Sequence, residues 1–232
     1  MWKKILDFLL PNPSMCVLCE QKMDKLSICD DCLERWATFA QNEGQCQRCG
    51  AFGRRATVCD VCRDWPKYYV GNTALLPYTD TVRDAVLALK FHQEPWRAEG
   101  FAPLFERMAA PNVDMIVPVP LHKERLRERG YNQSLLLARV ASAAWGIPVR
   151  EEQLLRTVNT KHQIGLSNTE RHHNVADAFS VSERQRARLD GASVLLIDDV
   201  MTTGATLLSC ARTLHKNGAS MVRSLTLTSV IQ

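Results

Sequence analysis

Cysteines come in pairs in the first 62 residues of this chain, and the pairs repeat. Cys16/Cys19 and Cys29/Cys32 return 30 residues later as Cys46/Cys49 and Cys59/Cys62, so each unit reads C-x2-C-x9-C-x2-C. Four thiolates complete the tetrahedral shell of a Zn²⁺ and leave no open position for substrate; two units therefore predict two structural zinc ions. The short polar stretch inside each unit can turn back and join its own pairs, which favours one ion per unit. The spacing leaves open a crossed arrangement that mixes ligands from the two units. A lone C-x-x-C suits redox chemistry, whereas four in register point to metal. A segment of roughly 60 residues with few large apolar side chains cannot fold on a core alone, so the metals are expected to supply much of the folding energy. The ninth cysteine, Cys210, stands apart beside Leu207 and Leu214 at helical spacing and reads as buried packing.

Cysteines held for metal imply a reducing compartment, so the expected location is cytoplasmic. The N-terminal stretch MWKKILDFLLPNPS has an apolar run only at residues 5–10, broken by Asp7, with no small-residue cleavage site after it. It predicts a short amphipathic helix ended by Pro11 and Pro13 rather than a signal peptide. No apolar run approaches the ~20 residues of a membrane helix, so no membrane span is expected. Hydrophobic residues at 46% and charged residues at 23% exclude a disordered chain. The net charge of +4 permits an anionic partner. Residues 1–64 carry nine Lys/Arg and nine Asp/Glu. Each four-thiolate zinc centre adds a formal −2, so the loaded segment stands at about −4 and is a weak magnet for nucleic acid, local patches such as Arg54 and Arg55 aside.

From Trp65 onward the pattern changes, which sets an expected division into residues 1–64 and 65–232. Strands are predicted over 70–78, 115–120, 192–199 and 221–231. Helices are predicted after a cap at Thr79 or Asp80, with Val82, Val86 and Leu89 on one face, and over 101–109, 132–145 and 206–217, the last stopped by Gly218. Strands alternating with helices imply an α/β fold with a mostly parallel sheet covered by helices. His172 and His173 read as exposed helix residues, and Trp36, Trp65 and Trp96 suit either border packing or base stacking.

The most informative stretch is residues 194–206, VLLIDDVMTTGAT. A buried strand ends in Asp198 and Asp199; a turn with Thr202, Thr203 and Gly204 then enters a helix. Ligands of open α/β sheets bind at this end of the strands. The first turn of a helix offers unpaired N–H groups to a phosphate, Gly204 is expected to leave room for close approach, and the threonines add hydroxyl donors. The adjacent carboxylates can accept from a vicinal diol. A Walker loop is absent.

These thirteen residues resemble the phosphoribosyl pyrophosphate (PRPP) motif of type I phosphoribosyltransferases. The resemblance implies that Asp198 and Asp199 meet the ribose hydroxyls, that Met201, Thr202, Thr203, Gly204, Ala205 and Thr206 cradle the 5′-phosphate, and that Mg²⁺ accompanies the pyrophosphate. The V-P-V-P…R-G-Y-N-Q pattern within 117–133, Leu89-Lys90-Phe91, and the spaced set Arg156, Thr160, Gln163, Leu166, Arg171, Asn174 and Phe179 resemble the ComF/GntX family, as does a double four-cysteine module placed before such a sheet. Tyr131 stands where Phe is more usual. The resemblance implies a type I phosphoribosyltransferase-like sheet with helices on both faces and an N-terminal zinc module. It also implies a pyrophosphate side at Arg125 and Arg129, with Lys161 a further candidate. The partners it implies are PRPP, single-stranded DNA and proteins of competence or DNA uptake. Transfer of phosphoribose to a base or amine, and ligand sensing without chemistry, are the alternatives.

Overall fold

The computed structural model describes residues 13–53, 58–158 and 178–230. The expected N-terminal helix, Arg54 and Arg55, Lys161, His172 and His173, and the pattern residues within 160–174 lie outside them. Among the described residues no helix is long and apolar enough to cross a membrane.

The elements are α1 (Asp30–Glu43), β1 (Tyr69–Leu76), α2 (Asp80–Phe91), α3 (Arg97–Gly100), α4 (Ala102–Glu106), β2 (Met115–Pro118), α5 (Lys123–Arg129), α6 (Gln133–Trp145), β3 (Leu155–Arg156), β4 (Phe179–Ser180), α7 (Glu183–Arg186), β5 (Ser193–Met201), α8 (Ala205–Lys216) and β6 (Met221–Ser229). Among the described residues the main sheet has the order β1-β6-β5-β2, with every pairing parallel, and β3 and β4 form a small antiparallel ladder. Strand alternation gives the sheet two apolar faces. Val194 and Leu196 of β5 join the core under α8, where Leu207, Cys210 and Leu214 are buried. Leu195 and Ile197 join the opposite core, built with Val82, Val86 and Leu89 of α2 and Leu137, Ala138 and Ala141 of α6. The α/β class with helices on both faces is thus as the sequence predicts, and Cys210 is buried packing.

Most element ends shift by one or two residues from those the sequence predicts, and two differences are larger or bear on the site. The helix expected over 101–109 is shorter, α4 with a proline in its first turn, and a separate short helix, α3, precedes it. The strand expected to stop at Asp199 runs on to Met201, because Val200 and Met201 still pair with Thr228 and Ser229 of β6. The two aspartates therefore sit on paired backbone and are held by the sheet itself.

The cysteine units pack on opposite faces. Cys46, Cys49, Cys59, Cys62 and Trp65 belong to the core under α8; Cys16, Cys29, Cys32 and Trp36 belong to the core under α2 and α6. Each first knuckle presses on a glycine: a Cβ on Gly71 would stand 2.3 Å from the Arg48 carbonyl oxygen, and one on Gly100 would stand 2.1 Å from Val17 Cγ1. The first unit is further tied down by buried Arg97, which donates to the Val17 carbonyl at 3.1 Å and to Glu20 at 2.6 Å.

Candidate metal centres and ligand cleft

The four Sγ atoms of Cys16, Cys19, Cys29 and Cys32 lie within 4.8 Å of one another, and so do those of Cys46, Cys49, Cys59 and Cys62. The thiols therefore cluster sequentially, one group of four per unit, and not in the crossed arrangement. Zn–S bonds of 2.3 Å in a tetrahedron place sulfurs about 3.8 Å apart. The observed separations include 4.0 Å for Cys16–Cys32, 3.7 Å for Cys19–Cys29, and 3.6 Å for both Cys46–Cys62 and Cys49–Cys59. The units repeat down to a backbone detail: Cys29 N–H points at Cys16 Sγ, and Cys59 N–H at Cys46 Sγ, each at 3.4 Å. Burial pushes the Cys46 thiol up, but the backbone N–H groups of Cys49, Arg48 and Cys59 outweigh it and bring Cys46 down to about 6. Cys16 falls to about 7 against burial in the same way. All nine thiols are free of disulfides. The donor set, spacing and burial suit structural zinc in both units.

The second site is a cleft of about 440 Å³ at the C-terminal edge of the parallel sheet. Asp198, Asp199, Thr202 and Thr206 line it, and so do Arg125 and Arg129 of α5. The sequence-predicted acids, hydroxyls and arginines therefore converge. Met201 does not face the cleft; its side chain fills the core under α8. Thr203 turns its hydroxyl onto the Ala205 N–H at 3.3 Å and shapes the turn. Gly204, at φ +78°, adopts the left-handed conformation that favours glycine. The direction its missing side chain would take is occupied by Trp65, whose Cζ2 would stand 3.0 Å from a Cβ. The expectation that Gly204 clears space for an anion is corrected on this point: the space it leaves is taken by an indole.

Four side chains with no assigned role in the sequence reading complete the cleft. Lys90, at the end of α2, pairs with Asp199 Oδ1 at 3.0 Å, with Asp199 only 4% exposed. Asp199 Oδ2 is buried with no hydrogen-bond partner among the described residues. Ser134 Oγ donates to Asp198 Oδ1 at 2.8 Å, and the Asp199 N–H donates to the same oxygen at 3.0 Å. Arg156 of β3 and Arg83 of α2 close the lining, so five cationic side chains face two carboxylates. Lys90 and Arg156 were visible as pattern matches only; the partners that explain them lie 109 and about 40 positions away in sequence.

Other contacts make the basic wall firm. The Arg129 guanidinium donates to Gln133 and lies 5.2 Å over the Phe91 ring. Burial lowers its pKa. Tyr131 uses its hydroxyl to donate to the Leu89 carbonyl at 2.7 Å, fixing the α5–α6 corner against α2. Asn132 caps α6 by accepting from the Ser134 N–H at 3.0 Å, which places Ser134 on Asp198.

Burial and the neighbouring Asp199 carboxylate push Asp198 up from 3.8 to about 7, against the pull of Lys90 and Ser134. An acid whose folded pKa is raised adds stability fully present below pH 4 and lost as pH rises through 7. Asp198→Asn keeps an oxygen for Ser134 and for the Asp199 N–H but cannot ionise. Urea melts should show the variant more stable than the wild type at pH 8, by on the order of 1–3 kcal/mol, with the difference shrinking toward pH 4. A constant difference across that range would show that Asp198 is not strained by ionisation.

Comparison with known proteins fits this geometry. Residues 150–232, from before β3 to past β6, match the phosphoribosyl transferase domain family. The chain is 29% identical over 226 residues to the DNA utilization protein YhgH of Salmonella typhi, covering 93% of this chain and 96% of that one. It is 28% identical to competence protein ComFC of Bacillus subtilis, covering 97% and 88%, and 26% identical to competence protein F of Haemophilus influenzae, covering 90% and 87%. Over nine-tenths or more of its length the chain is thus similar to competence protein ComFC, competence protein F and DNA utilization protein YhgH, and its residues 150–232 match the phosphoribosyl transferase domain family.

Proposed function

We propose that this protein binds PRPP with Mg²⁺ in the cleft and, in the cytoplasm, serves the handling of incoming or single-stranded DNA in competence or DNA utilization. The observation that carries the reading is the run from Asp198 through Gly204 into α8, faced across 440 Å³ by Lys90, Arg125, Arg129 and Arg156. In this reading residues 65–232 form the ligand-binding part and residues 1–64 the metal-binding part. Thr202, Thr206 and the first-turn N–H groups of α8 hold the 5′-phosphate. Asp199, with one oxygen buried and unmatched, takes a ribose hydroxyl together with Asp198. Arg125 and Arg129 meet the pyrophosphate, since guanidinium matches phosphate oxygens bidentately. When bound with the ligand, Mg²⁺ would offset the negative charge that the phosphates bring beside Asp198 and Asp199. The DNA link comes from the names that the relatives carry, competence protein and DNA utilization protein.

True transfer to a base or amine is the second reading, since Asp198 lines the cleft beside Asp199 and burial with that neighbour pushes its carboxyl up to about 7, where it can accept a proton. In that reaction the acceptor nitrogen bonds to ribose C1, the C1–O bond breaks, pyrophosphate leaves with the bonding pair, and the acceptor proton passes to Asp198.

Calorimetry with PRPP and Mg²⁺ tests the reading. Asp199→Asn should weaken binding by about 1–3 kcal/mol through loss of a charged hydrogen bond. Undetectable wild-type binding at millimolar ligand, or equal affinity in the variant, would overturn it. Mass spectrometry of mixtures containing PRPP, Mg²⁺ and a panel of bases and oligonucleotides separates transfer from binding.

A further inference from the structure

Trp65 follows Cys62 by three residues, and its indole occupies the space a side chain on Gly204 would take at the entrance to α8, with Cζ2 3.0 Å from an ideal Cβ there. The ring is buried in the same core as Cys46, Cys49, Cys59, Cys62 and Met201, and lies 5.3 Å from the Tyr69 ring. Its backbone is held as firmly. The Trp65 N–H donates to the Cys62 carbonyl at 3.3 Å. Arg48, which lies between two ligands of the second centre, donates through its guanidinium to the carbonyls of Arg63 at 3.0 Å, of Trp65, and of Pro66 at 3.2 Å. The Arg48 carbonyl in turn accepts the Asn72 N–H of β1 at 2.7 Å, and Asn72 Nδ2 reaches the Cys49 carbonyl at 3.3 Å. A continuous path therefore runs from the thiolates to Arg48, to Trp65, and to Gly204. Leu18, which stands in the first unit where Arg48 stands in the second, packs instead in the core on the other face of the sheet.

We propose that the second cysteine centre is a positioning element for the phosphate turn: its metal fixes Arg48 and Trp65, and Trp65 fixes Gly204. Loss of this ion loosens residues 202–206 and weakens the ligand, whereas loss of the first ion leaves the turn in place. The ligand half of this statement rests on the PRPP reading above; the ordering of the turn does not. Mispositioning of a binding group by about 1 Å is enough to cost one to two orders of magnitude, which is the range at stake.

The test uses the full chain loaded with zinc. Amide hydrogen exchange over residues 202–208 is measured without ligand for the wild type, Trp65→Leu, Arg48→Met and Cys19→Ser, with metal content determined for each. Trp65→Leu retains apolar bulk but removes the ring edge at Gly204; Arg48→Met removes the clasp and keeps the indole. Both should hold two zinc equivalents, exchange about tenfold faster across the turn, and bind PRPP with Mg²⁺ about tenfold more weakly. Cys19→Ser, at the exposed ligand of the first centre, should lose metal there and exchange at the turn as the wild type does. Wild-type exchange in Trp65→Leu with both ions present would overturn the proposal. So would an equal loosening in Cys19→Ser, which would mark general instability. Should Trp65→Leu fail to fold, Arg48→Met decides by the same criteria. If the wild type binds no PRPP, the function reading fails while the exchange result still stands for or against the coupling.

Discussion

Gly204→Val should abolish PRPP binding and leave both metal centres loaded. Two independent costs fall on this one position. The backbone sits at φ +78°, where a β-branched residue is strongly disfavoured. The new Cβ would also stand 3.0 Å from Trp65 Cζ2, and its two methyl groups would have to displace an indole that is itself packed in the core. The turn has no cheap way to relax, because Met201 before it is bonded to the Val230 N–H at 2.8 Å and Leu208 after it is bonded to the Gly204 carbonyl at 2.9 Å. A penalty of roughly 1–3 kcal/mol for the backbone adds to an overpacking cost of similar size. Together they predict a loss of affinity of a hundredfold or more in calorimetry with PRPP and Mg²⁺. Wild-type affinity in this variant would show that the turn does not carry the phosphate.

Metal removal should have the widest effect on stability. Structural zinc contributes on the order of 10 kcal/mol per site to domains that depend on it. Here the ligands are not confined to an appendage: seven of the eight are buried, four in one core of the sheet and three in the other. Stripping both ions leaves clusters of thiols inside both apolar cores, with Cys32, Cys49 and Cys62 held neutral by burial and by their neighbours. The metal-free chain should therefore lose near-ultraviolet circular dichroism and its cooperative melt, the tryptophans of both cores included. A sheet that melts at an unchanged temperature after verified removal of both ions would sink this expectation.

Much of this was legible in the chain because it depends on short-range pattern. The metal centres follow from spacing, and the strand–turn–helix of residues 194–206 from an apolar run, two acids and a glycine. What could not be read were partnerships across the sheet. Nothing near Lys90 announces that it will pair with Asp199, since the two meet only when α2 is laid against the end of β5. Ser134 looks like an ordinary first-turn residue until α6 carries it to Asp198. Sequential against crossed ligation also depended on three dimensions, because both satisfy the same spacings. Gly204 was singled out correctly as special, but for the wrong neighbour: local sequence marks a position that needs glycine without saying what presses on it.

The two cysteine units have the same ligand set, yet their surroundings are unequal. All four thiols of the second are buried, whereas Cys19 of the first is exposed. Exchange of a bound ion begins with attack on an accessible ligand, so identical coordination does not mean identical residence time. An ion in the first cluster would be open to capture by outside thiols or oxidants, and one in the second would leave only when its core opens. A duplicated motif would thereby become two clocks, a fast one on the α2 and α6 face and a slow one beneath the turn at Gly204.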